Sequence, residues 1–136
     1  MKSLLSTRYS AGAFNTGLLL FRLAIGLLMV KHGYDKMVHF NEYSGQFMSF
    51  LGMGAKVSLA LTIFAEFFCS ILLILGLFTR FACIPLIIAM SVALFMVHKG
   101  NPYDEHGQMA ALFLISYVLI LIIGPGKASV DGMIGK

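Results

Sequence analysis

Four apolar stretches, each close to the length of a bilayer crossing, take up most of this 136-residue chain, and only short polar segments separate them. A water-soluble fold of this size could not cover such stretches with polar surface. The composition agrees: 59% of residues are hydrophobic and 12% charged, with a mean hydropathy of +0.89. The expected fold is therefore all-α, an integral membrane four-helix bundle. Residues 1–136 are expected to form a single membrane domain with no room for a second.

The apolar pattern predicts helices from about Gly17 to Val38, Val57 to Phe78, Phe81 to His98 and Gln108 to Ile123. Asn15 or Thr16 is the expected N-cap of the first. Lys2 and Arg8 precede that run, but Arg22 and Lys31 interrupt it and no small-residue cleavage site follows, so it reads as a retained anchor. "GLFTR" leaves so little chain between the second and third helices that they must form a tight antiparallel hairpin. Pro85 is expected in the first turn of the third helix, where its missing amide is harmless. The segment around residues 43–54 carries Tyr43, Phe47, Phe50 and Leu51 at helical spacing and is expected to lie in the interface. "GPGK" should stop the last helix abruptly.

The net charge of +4 arises without a lysine or arginine run and without a basic soluble face, which argues against nucleic acid. Its expected meaning is orientation. Lys2, Arg8, Arg80, Lys127 and Lys136 gather on one side, against Lys31, Lys36, Lys56 and Lys99 on the other, so both termini are expected to be cytoplasmic. Cys69 and Cys83 lie in separate apolar stretches with no C-x-x-C and read as small buried apolar residues.

Two charges stand inside apolar runs: Arg22 in "LLLFRLAIG" and Glu66 in "TIFAEFFCS". Facing lipid unpaired, each would cost a few kcal/mol or more, so both should point inward and find partners. Pairing with each other is the obvious solution, although helical rise puts them about 10 Å apart in depth. Tyr117 lies at the same depth as Glu66, about 13 Å from the outer end, and His32 at about 9 Å. Glu66, in a low-dielectric site beside such partners, is the candidate proton carrier. At the outer end His32, Lys36 and His39 share a helix face, and His98, Asp104, Glu105 and His106 gather opposite. No H-x-x-x-H or H-E-x-x-H spacing occurs, so no metal site is assigned. Arg22, His32, Lys36, Glu66, His98 and Tyr117 together suit a pocket for a polar ring better. Gly26 and Gly33, seven apart on one face of the first helix, permit a close helix approach.

Arg22 with Gly26, His32-Gly33 with Lys36, Glu66, "GLFTRFACIPL" with Gly76, Arg80 and Pro85, and "GPGKASVD" with Gly124 and Asp131 resemble the DoxX family of small four-helix membrane proteins. The likeness runs from about Thr16 onward, and "HKGNPYDEHGQMA" is similar to a bacterial subgroup. The family takes its name from a subunit associated with a terminal quinol oxidase and a thiosulfate:quinone oxidoreductase. The resemblance therefore implies a bacterial inner-membrane, multi-pass protein with a quinone as ligand and a membrane oxidoreductase as partner. His32, Lys36 and Glu66 would form the polar side of its site. No haem-binding pattern or iron-sulfur cysteines are present, so electrons would come from a partner or the quinone.

Three functions follow. The first is a quinone-interacting accessory of a membrane oxidoreductase. The second is a structural or assembly subunit in which Arg22 and Glu66 form a buried ion pair. The third is a small proton-linked transporter, which the absence of an inverted repeat disfavours but a homo-oligomer would allow.

Overall fold

The computed structural model describes residues 2–45, 52, 54–97 and 105–134. Every regular element among the described residues is helical. After a 3-10 turn, Lys2–Leu5, come α1 (Ala11–Val38) and the short α2 (Phe40–Ser44). Next come α3 (Ala55–Leu75) and α4 (Thr79–Val92), which continues into a π turn, Ala93–Val97. Last come α5 (Glu105–Ile123) and α6 (Val130–Met133). His98, Asp104 and most of the expected interfacial segment lie outside the described residues.

Helix α1 starts well before the expected position. Ser10, extended at φ −97° and ψ 153°, is the N-cap, and its hydroxyl accepts from the Ala13 N–H at 3.0 Å. Asn15, the expected cap, instead accepts the Lys127 N–H at 3.0 Å and ties α1 to the chain's end. Helix α3 stops at Leu75 because Gly76 adopts a left-handed φ of 72°. The Leu77 N–H then reaches Leu72 O at 2.9 Å and the Gly76 N–H reaches Leu73 O at 3.1 Å, which closes a Schellman motif. Pro85 falls not in the first turn of α4 but inside the helix, because α4 already begins at Thr79. It there removes the amide that would have bonded the Phe81 carbonyl.

Helices α1, α3, α4 and α5 pack in that order, each along the next. Their shared core contains Ile25 and Met29 from α1, Cys69 and Leu73 from α3, Cys83 and Leu86 from α4, and Tyr117 and Ile120 from α5. Both cysteines are free and buried, as the sequence suggests. Burial runs opposite to that of a water-soluble protein: Arg22 is 0% exposed and Glu66 3%, while Ile122 is 70% and Phe81 75% exposed. Helices α1 and α3 are long and apolar enough to cross a membrane, and apolar stretches Thr79–Phe95 and Gly107–Ile123 accompany them.

The approach of α1 to α3 rests on two glycines. A Cβ on Gly33 would stand 2.6 Å from Phe67 N and 2.8 Å from the Glu66 carbonyl carbon, and one on Gly26 would overlap Ile74. Arg22 meets Leu73, Gly26 meets Ile74 and Gly33 meets Phe67, so the two helices run antiparallel. Where Gly33 crosses, α3 is wound as a π helix over Phe64–Cys69. The extra residue in that turn shifts the side chains beyond it around the axis, a distortion that often accompanies functional sites.

Candidate functional site

The two buried charges do not pair. A helix side chain leans toward the N-terminus of its own helix. On antiparallel neighbours, Arg22 of α1 therefore leans toward the end of the molecule that holds both termini, whereas Glu66 of α3 leans the opposite way. Lys36, further along α1, leans back toward Glu66. Its Nζ stands 2.5 Å from Glu66 Oε1, with the lysine side chain 26% and the glutamate side chain 4% exposed. The close crossing at Gly33, one turn before Lys36, brings the two within reach. The expected Arg22–Glu66 ion pair is thus replaced by Lys36–Glu66, because the two side chains lean apart across a difference in depth that they would have to bridge.

Around this pair stand the other expected members. The Tyr117 hydroxyl is fully buried, lies within electrostatic reach of Glu66 and faces Ser70. Apart from each other, neither the Tyr117 hydroxyl nor Ser70 Oγ has a hydrogen-bond partner among the described residues. The half-buried His32 meets Phe113 edge to face, with ring centroids 6.1 Å apart at 89°, and Phe113 stacks on Tyr117 at 6.0 Å and 24°. Aromatic rings therefore continue from the end of α1 to the interior. His39 is exposed, with its ring Nδ1 2.9 Å from Asp35 O. Lys31 and Asp35 form an exposed pair at 3.6 Å. His98, also expected at the site, lies outside the described residues. Ser70 is absent from the sequence reading, although its spacing of four from Glu66 places both on one helical face.

Arg22 has a different solution. Its Nη1 donates to Leu73 O at 3.0 Å, which also accepts the Gly76 N–H, and to Ile74 O at 3.4 Å at the end of α3. Its Nη2 donates to Ala128 O. The segment after α5 has turned back to supply that carbonyl. Gly124, at φ 97°, reverses the chain, and the Asp131 N–H donates to Gly76 O at 2.9 Å. The Asp131 carboxylate accepts from Phe78 N–H at 2.9 Å and Thr79 N–H at 3.0 Å. It thereby caps α4 and holds Phe78 at the left-handed φ of 48°. Partial burial pushes the Asp131 carboxyl upward, but the Thr79 and Phe78 N–H groups, the Thr79 hydroxyl and the Arg22 charge outweigh it and hold the group below the usual carboxylate range. Sequence reading counts Asp131 only as a charge and in a resemblance. The cap could be suspected only from knowing that the tail folds back.

Beside this second centre lies a cleft of about 630 Å³ lined by Asn15, Thr79, Arg80, Lys127 and Asp131 among others. Arg80 closes part of it by donating to Ile122 O and Ile123 O, both at 3.3 Å, which caps the end of α5.

A family model described as DoxX matches residues 17–99. A Haemophilus influenzae protein, named as an uncharacterized protein, is 31% identical over 124 residues, covering 85% of this chain and 88% of its own length. A second uncharacterized protein of that organism is 32% identical over 68 residues, covering 48% of this chain and 45% of itself. No solved structure matches.

Proposed function

The chain belongs to the DoxX family of membrane proteins, and from the Lys36–Glu66 pair we propose that it is a quinone-interacting accessory of a membrane oxidoreductase. The carrying observation is a carboxylate 4% exposed, held by a single ammonium that solvent still reaches. Partial access lowers the desolvation cost of the pair and also gives the carboxylate a route to solvent, which a group that exchanges protons requires. The residues fit a polar ring. Lys36 has two N–H donors beyond the one aimed at Glu66, the Tyr117 hydroxyl lies within electrostatic reach of Glu66, and the His32–Phe113–Tyr117 row offers flat apolar faces.

A bound quinone would supply two-electron, two-proton chemistry. Lys36 would hold a ring oxygen, His32 and Phe113 would orient the ring, and Glu66 would accept or return one proton at its carboxylate. Electrons would pass to a partner oxidoreductase.

In this reading α1, α3, α4 and α5 all cross the bacterial inner membrane as a four-helix bundle, with both termini cytoplasmic. The apolar stretches of α4 and α5, Thr79–Phe95 and Gly107–Ile123, would each rise about 25 Å, enough to cross with slight thinning of the bilayer. Cysteine labelling at Ser6 and Lys136 from one side of sealed vesicles checks the orientation.

The deciding experiment is native mass spectrometry with lipid extraction on protein purified in mild detergent. The proposal expects stoichiometric quinone that is lost in Glu66→Gln and Lys36→Met. No quinone in a folded preparation sinks it and favours the structural reading, for which the carbonyl-bound Arg22 is the supporting observation.

A further inference from the structure

The end of the molecule that holds both termini carries two basic side chains without an acidic partner. Among the described residues Lys31 pairs with Asp35 and Lys36 with Glu66, whereas Arg80 and Lys127 form no ion pair. Both stand on the wall of the cleft of about 630 Å³, a size common for ligand sites.

The fold fixes both in place. The Arg80 guanidinium lies over Gly124, where a Cβ would stand 3.1 Å from Nη2 and 3.4 Å from Nε. Its Nη2 is spent on the Ile122 and Ile123 carbonyls, both at 3.3 Å, which leaves Nε and Nη1 as donors. The Lys127 backbone is held between α1 and α6. Its N–H donates to Asn15 Oδ1 at 3.0 Å, its carbonyl accepts the Ser129 N–H at 2.9 Å, and a Cβ on Gly132 would overlap that carbonyl. The Lys127 side chain itself is exposed. Asp131 is the one acid among the described lining residues. Its two oxygens already accept the Phe78 and Thr79 N–H groups, and it faces the Arg22 charge. The cleft is therefore net positive with donors to spare, which favours an anion.

The surroundings are apolar. Exposed Phe81 and Ile123 border the cleft. From Phe81 an exposed stripe runs along α4 through Ile84 and Ile88, and from Ile122 another runs along α5 through Leu119 and Ile115, each at helical spacing. A soluble anion needs no such stripes. Membrane orientation needs only positive charge at this end, not two cations in one cleft. A molecule with an anionic head and acyl tails uses both features.

We propose that this cleft binds the phosphate headgroup of an anionic phospholipid from the leaflet on the side of the termini, with the acyl chains against the stripes of α4 and α5. Arg80 donates from Nε and Nη1 to the phosphate oxygens, for which its planar fork is suited. Lys127 adds a compact charge from the opposite segment. Because Arg80 is tied to α5 and Lys127 to α1 through Asn15, a lipid held by both braces the two outermost members of the α1, α3, α4, α5 packing order. The proposal shares with the preceding reading only that the bundle crosses a membrane, and it makes no use of Lys36 or Glu66.

The test is native mass spectrometry of the full chain in mild detergent, titrated with dioleoyl phosphatidylglycerol or dioleoyl phosphatidylcholine. The unaltered protein should prefer one phosphatidylglycerol by about twenty-fold, and Lys127→Gln should lower that preference about five-fold, the worth of one cation near a membrane surface. Lys56→Gln removes an equal charge at the opposite end, where α3 begins, and should change nothing. No preference in the unaltered protein, or equal losses in Lys127→Gln and Lys56→Gln, overturns the site. Adding Arg80→Gln to Lys127→Gln should abolish the remaining preference. Arg80 also caps α5, so if that double variant fails to fold, the comparison of Lys127→Gln with Lys56→Gln decides alone. Millimolar inorganic phosphate should leave the lipid bound; displacement would mean a site for soluble phosphate and overturn the lipid assignment. Copurified quinone without lipid preference would remove this inference and leave the quinone reading standing. Lys127-dependent lipid binding without quinone would do the reverse.

Discussion

Glu66 and Arg22 are both buried charges in an apolar interior, and the protein neutralises them in opposite ways. Glu66 meets one ammonium, on a side chain 26% exposed. Arg22 meets three backbone carbonyls, those of Leu73, Ile74 and Ala128. A lysine can swing away and let its carboxylate protonate, whereas carbonyls at a helix end cannot leave without unravelling the helix. The first arrangement suits exchange with a ligand or a proton. The second suits a permanent latch, and Arg22 accordingly sits where α1, the end of α3 and the returning tail meet.

The largest expected effect comes from breaking the latch. Arg22→Met removes the side-chain donor of the Ile74 and Ala128 carbonyls and should cost about 3–5 kcal/mol or prevent folding, read as loss of a cooperative transition in detergent. The charge-swapped double change Arg22→Glu with Glu66→Arg should not rescue it, since the two side chains lean apart. Rescue would mean that the two charges are partners after all.

Gly76→Ala attacks the same latch sterically. The new methyl would overlap Ser129 and Arg22 at a position of φ 72°, for an expected loss of about 3 kcal/mol in the same assay. At the Lys36–Glu66 pair, Lys36→Met alone should destabilise by roughly 1–3 kcal/mol, while Lys36→Met with Glu66→Met should recover most of that loss. If the double variant were as unstable as the sum of the single changes, the pair would not be the unit described here.

The smallest effect is a pH dependence. Because the native Asp131 carboxyl is held below its ordinary value of 3.8, its stabilising contribution is complete above that range and lost as pH falls through the lower native value. Unfolding followed from pH 5 to pH 2 should therefore show an acid-side decline that is reduced in Asp131→Asn. An identical decline in the variant would place the acid sensitivity elsewhere.

Much of this is legible from residue order. Long apolar stretches dictate helices, and Gly76 and Gly124 end two of them because only glycine takes a left-handed backbone freely. Gly26 and Gly33 announce the crossing of α1 and α3. Arg22 and Glu66 advertise themselves by cost alone. Their partners were not legible. Depth along a helix can be counted from sequence, but the direction in which a side chain leans depends on which way its helix runs beside its neighbour. The π turn at Phe64–Cys69 also rotates Ser70 and Leu73 to positions that a regular helical count misplaces.

Local chemistry thus determined the helices, their ends, the close-packing glycines and the presence of two inward-facing charges, since each follows from a few neighbouring residues and the cost of exposing polar groups to an apolar surround. Only the tertiary structure decided that Lys36 rather than Arg22 meets Glu66 and that Asp131 returns from the far end of the chain to cap α4. Those are contacts between residues 30 to more than 50 positions apart, and only the packing of whole helices sets them.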